Sequence, residues 1–174
     1  RTGRGSFEHF KLEDRIDIIT STFGKALGGG NGGCISGRKE IIEYLRQRSR
    51  PYLFSNTLAP PEVGATLKAL EILKDSQDLL LKVHENAKYF RKKLTEAGFD
   101  VLPGETAIIP VMLYEEPLAL KTAEELLKEG IYVIGFAYPV VPKGKARIRC
   151  QVSAAHNRED LDRAIAAFET VGKR

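Results

Sequence analysis

Residues 146–153 alternate without exception. Ala146, Ile148, Cys150 and Val152 fall on one face, and Arg147, Arg149, Gln151 and Ser153 on the other. Successive side chains of an extended chain point to opposite sides, so this period of two predicts a strand with one face in a core and the other in a wet cleft. Such a strand needs partners and a covering layer, and the rest of the chain offers both. Leu80, Val83, Ala87, Phe90 and Leu94 recur at three- and four-residue spacing in a long helix, which Gly98 stops. Ala107–Leu113 reads as a strand, Leu118–Lys128 as a helix closed by Gly130, and Ile131–Ile134 as a further strand. Asn157 and Asp160 form an N-cap pair for a last helix bearing Leu161, Ile165 and Phe168.

The first third reads differently. Residues 16–20 predict a buried strand, and Gly33–Ser36 a short second one. Ile41–Arg48 is a short helix ended by Pro51, and Tyr52–Ser55 reads as extended. Pro60-Pro61 opens another helix, because proline is tolerated in a first turn; Val63, Leu67 and Leu70 line one face of it. Strands alternating with helices give an α/β fold, with a boundary between two halves within residues 60–98.

Composition narrows the function. The chain has 174 residues, 43% apolar and 29% charged, as an ordered globular protein does. A net charge of +4 is too small to imply nucleic acid and suits an anionic ligand. The two cysteines, Cys34 and Cys150, fit neither a metal spacing nor a disulfide framework, which points to a reducing cytoplasm. No apolar run reaches membrane-spanning length. The opening Arg1-Thr2-Gly3-Arg4-Gly5-Ser6 reads as a loop interior, as in a piece of a longer protein.

The chemistry is concentrated in Ser21-Thr22-Phe23-Gly24-Lys25-Ala26-Leu27-Gly28-Gly29-Gly30. One lysine follows a strand-like segment, with hydroxyls three and four positions before it and little side-chain bulk around it. A lysine amine needs such a setting to form an imine with a bulky phosphorylated aldehyde. Residues 28–33 also satisfy G-x-G-x-x-G, but a strand rather than a helix follows, and no acidic residue lies between Glu43 and Glu62 to hold a ribose. A phosphate-binding P-loop fails because Ala26 stands where Ser or Thr is required. Read without chemistry, the glycines form a tight turn and Lys25 is a solvated lysine.

The lysine string resembles the cofactor-binding segment of the α-oxoamine synthases, in which a Thr, two residues and the lysine precede an Ala/Gly-rich stretch. The resemblance extends through Arg46–Pro60, Gly135–Arg149 and Ser153-Ala154-Ala155-His156, nearly the whole chain. It implies a pyridoxal 5'-phosphate (PLP)-dependent transferase of fold type I. Residues 1–60 would be the C-terminal part of the large cofactor-binding domain, 61–98 connecting helices, and 99–174 the small α/β domain. Lys25 would carry the cofactor and act as catalytic base, and Thr22 would hydrogen-bond its phosphate. Ser55 and Asn56 would reach the cofactor phosphate of a neighbouring subunit, implying a homodimer. Arg149 would grip the amino-acid carboxylate, a role that suits a planar guanidinium. The strings are most similar to the branch that condenses glycine with acetyl-CoA to 2-amino-3-oxobutanoate. A sister branch joins alanine to a pimeloyl thioester, and a non-enzymatic interaction domain on the same scaffold would need neither Lys25 nor Arg149.

In that family an aspartate that protonates the pyridine nitrogen and a histidine that stacks on the ring precede the lysine, and nothing between Arg1 and Thr20 matches them. His156 reads as a capping or packing histidine and His84 as solvated. The Arg46, Arg48 and Arg50 group fits either an anionic coenzyme or an exposed helix end.

Overall fold

The computed structural model describes residues 3–173. They divide into two compact units at the Gln77–Asp78 junction, each built separately.

The first unit begins with a one-turn helix, α1 (Ser6–His9), and an antiparallel pair, β1 (Ile18–Thr22) and β2 (Gly33–Gly37). Ile18 pairs with Gly37 and Thr22 with Gly33, so the glycine-rich segment is the loop of a long hairpin. The strand expected at 16–20 begins two residues later and is exposed along its whole length, because a two-stranded ribbon cannot shelter both of its faces. α2 (Lys39–Arg48) follows, then α3 (Arg50–Phe54) and α4 (Pro60–Asp75). The helix α3 corrects the extended reading of Tyr52–Ser55. Pro51 stands in the first turn of α3, where its missing N–H costs nothing, so it starts a helix there instead of only ending the one before. Val63, Leu67 and Leu70 lie on α4 but are exposed; its buried residue is Thr66.

The second unit holds nearly all of the core. α5 (Gln77–Glu96) buries Ala87, Phe90 and Leu94, and the chain reverses at Gly98, whose φ of 90° is easy only for glycine. β3 (Ile108–Tyr114), α6 (Glu116–Lys128), β4 (Ile134–Phe136), β5 (Ala146–Gln151) and α7 (Arg158–Gly172) complete it. The three strands form an antiparallel sheet in the order β3-β5-β4. The alternating segment is its central strand: Ala146, Ile148, Cys150 and Val152 are buried, while Arg149 and Gln151 are exposed. Leu94, Ile109, Val111, Leu126, Ile148 and Phe168 make the driest layer, with Phe90 and Phe99 edge-on to Phe168 at 6.5 and 5.5 Å between ring centres. Fully burying each such side chain is worth about 1.5–3 kcal/mol.

Two local features differ from expectation or refine it. The strand expected at 131–134 runs instead over 134–136. The Ile131 N–H closes the end of α6 on the Leu126 carbonyl at 2.8 Å, and pairing begins only where Ile134 lies opposite Arg149. The α7 cap has both of its reciprocal bonds: Asp160 N–H to the Asn157 side chain at 2.8 Å, and Asn157 N–H to the Asp160 carboxylate at 2.9 Å.

Candidate active site

The hairpin loop owes its shape to backbone bonds that require small residues. Phe23 N–H donates to Gly32 O at 2.9 Å, Gly29 N–H to Phe23 O at 2.9 Å, and Gly28 N–H to Lys25 O at 3.0 Å. Lys25 therefore sits at the start of a turn that Gly28 closes with a φ of 74°. A Cβ on Gly24 would lie 2.6 Å from the Gly30 carbonyl oxygen, so only hydrogen fits there. The Lys25 side chain is exposed and, among the described residues, has neither an ion-pair nor a hydrogen-bond partner. A lysine amine with no carboxylate to hold is available for covalent chemistry.

Thr22, three residues earlier, donates its hydroxyl to Gly32 O at 3.2 Å. To serve an anion the hydroxyl has only to rotate, since Gly32 O already accepts the Phe23 N–H. Ser55 follows α3, its N–H bonded to Pro51 O at 3.2 Å, and Asn56 comes next; both are exposed. The same connection reaches the hairpin loop through Leu58, because a Cβ on Gly32 would lie 2.3 Å from a Leu58 methyl. Thr22, Lys25 and the Ser55–Leu58 connection thus belong to one unit, arranged around one loop. Leu58 carries no motif signal and only the structure reveals its role.

Arg149 belongs to the second unit, on the outer face of β5. Its register partners there are Pro110 of β3 and Ile134 of β4, and its guanidinium lies 5.5 Å above the Phe136 ring. None of the described acidic residues pairs with it, so it is a fixed cation with an apolar surround and an open side. Alternation placed Arg149; the Phe136 contact was not legible, because it depends on which strand lies beside β5. Arg147 instead donates from Nε to Lys145 O at 3.0 Å, a structural bond. His156 accepts the Ser153 N–H on Nδ1 at 3.2 Å, and its carbonyl takes a bond from buried Asn86 at 2.9 Å, as a packing histidine does. His84 is exposed.

The model of the aminotransferase class I and II family matches residues 2–168. The chain belongs to that family. Among curated relatives of this aminotransferase-family chain, 2-amino-3-ketobutyrate coenzyme A ligase of Escherichia coli strain K12 is 55% identical over 98% of the chain and 43% of its own length. The 8-amino-7-oxononanoate synthase of Thermosipho melanesiensis is 48% identical over 99% of the chain and 44% of its own length. Among solved structures, a serine palmitoyltransferase from S. paucimobilis with bound PLP and myriocin superposes with a TM-score of 0.92 at 27% identity, over 99% of the chain and 44% of its own length. The fold is that of the fold type I PLP-dependent transferases, and the chain spans less than half the length of these relatives.

Proposed function

We propose that the protein is a PLP-dependent C-acyltransferase that joins glycine to the acetyl group of acetyl-CoA, giving 2-amino-3-oxobutanoate and CoA. The observation that carries this is the 55% identity to the E. coli ligase over 98% of the chain. The residues fit the cofactor. Lys25 offers an exposed amine that is unpaired among the described residues, and the loop around it admits only glycine at Gly24 and Gly29. When bound, PLP supplies the electron sink that lets glycine lose a Cα proton.

The chain's own residues do the rest. Arg149 holds the glycine carboxylate through a two-pronged hydrogen bond and fixes which Cα hydrogen is lost. Lys25 takes that proton at its amine nitrogen. Thr22 turns its hydroxyl from Gly32 O to a phosphate oxygen. Ser55 and Asn56 serve the phosphate of a second copy's cofactor, which makes a homodimer part of the proposal. The two unpaired cysteines support a reducing compartment, the cytoplasm.

Borohydride reduction of the full-length protein with PLP, followed by peptide mapping, tests the reading. The fixed label should fall on Lys25, and a label elsewhere overturns the assignment. The 48% identity to an 8-amino-7-oxononanoate synthase supports a second reading, alanine with a pimeloyl thioester. Assaying both donor and amino-acid pairs separates the two.

A further inference from the structure

From Gly130 to Arg158 the chain contains no aspartate or glutamate, although it has 23 elsewhere. Five cations fall inside that acid-free stretch. Arg158 is occupied on α7, its guanidinium 3.6 Å from the centre of the Tyr89 ring. The other four, Lys143, Lys145, Arg147 and Arg149, stand at alternate positions leading into and along β5.

Their setting is ordered. Lys145 N–H closes a turn on Pro142 O at 3.1 Å, which brings Lys143 beside Tyr138, its Nζ 5.1 Å from the ring centre. Arg147 is tied to Lys145 O, and Arg149 is stacked on Phe136 at the far end. Alternate residues of an extended chain are about 6.6 Å apart, so the row is at most ~20 Å long. None of the four cations has a carboxylate within ion-pair distance among the described residues. The helices, by contrast, pair their lysines with glutamates three or four residues away. Two acids lie near the row without forming an ion pair with it: Asp100 accepts the Tyr114 hydroxyl, and Glu116 borders the same hollow as Lys143. A line of unpaired like charges repels itself until an anion arrives.

We infer that Lys143, Lys145 and Arg147, with Tyr138 supporting Lys143, receive the phosphates of the acyl donor, and that Arg149 at the other end holds the amino-acid carboxylate. This rests on the proposed reaction, whose donor carries a diphosphate and a sugar phosphate at one end and its thioester at the other. One edge then meets both substrates: phosphate at the lysine end, carboxylate at the arginine end, with the thioester between.

The test uses the full-length enzyme loaded with PLP and a K143A/K145A variant, each assayed with acetyl-CoA and with S-acetylpantetheine, which lacks the phosphates. Two exposed charge contacts together are worth about 1–2 kcal/mol, so the kcat/KM preference for acetyl-CoA over acetylpantetheine should fall roughly 10-fold. The salt dependence of acetyl-CoA turnover should flatten with it. An unaltered donor preference overturns the inference. If neither donor acylates glycine in the unmutated enzyme, the reaction is wrong and titration with coenzyme A decides the strip alone. Weaker binding to the variant than to the parent, by a similar factor, supports it, and equal binding overturns it.

Discussion

The hydroxyl of Thr66 donates to the carbonyl of Gly29 at 3.1 Å, across 37 positions of chain, and both residues are buried. This bond ties α4 to the loop that carries Lys25. Thr66→Val keeps the shape and leaves the Gly29 carbonyl without a partner, which should cost about 1–3 kcal/mol in urea unfolding. Thr66→Ser should retain most of the stability. Gly29→Ala should be worse than Thr66→Val, because its Cβ would lie 2.4 Å from the Thr66 hydroxyl oxygen and 3.1 Å from Thr66 Cα. A Thr66→Val protein as stable as the parent would show that the loop is held by other contacts.

Arg149 and Phe136 make the second prediction. A partly exposed cation–ring contact is worth about 0.5–1 kcal/mol, so Phe136→Leu in the full-length enzyme should raise KM for glycine roughly 2- to 5-fold. The effect should spare KM for the acyl donor, which a general loss of folding would not. Arg149→Lys would remove the two-pronged grip proposed for the glycine carboxylate and should raise KM for glycine further than Phe136→Leu does. Equal effects of Phe136→Leu on both substrates would contradict a positioning role.

Cys150 supplies a pH dependence. Burial against Ile148, Val152 and α7 pushes its thiol up to about 12 from an ordinary value of 9.0. Between those values the unfolded chain loses the proton first. The stability this group contributes is complete below about pH 9 and is lost as pH rises toward 12. Cys150→Ala should flatten that decline when unfolding free energies of the two proteins are compared across pH 8–11. At pH 8 a thiol reagent should modify exposed Cys34 rapidly and reach Cys150 only on unfolding.

Much of the second unit was legible because its signals are local and agree with one another. The alternation of Ala146–Val152, the helical spacing of Ala87, Phe90 and Leu94, and the Asn157–Asp160 cap each act within a few residues, and each appears in the fold. The first unit was less legible. Pro51 breaks one helix and starts the next, and local rules weigh the break more heavily than the start. The strand after α6 slipped toward its C-terminal end because its limits depend on the reach of β5, a partner more than ten residues away.

For the site, the sequence alone determined the chemical identity of the groups: an amine among glycines at Lys25, a hydroxyl at Thr22, and a guanidinium on the wet face of a strand at Arg149. Residue type and spacing suffice for that, since reactivity and side-chain direction along a strand are local properties. Only the tertiary structure decided what those groups rest on: Gly29 on Thr66, Gly32 against Leu58, Arg149 over Phe136. Each of those contacts joins residues brought together by the pairing of strands or the packing of a helix, and no period in the chain records which element will lie alongside which.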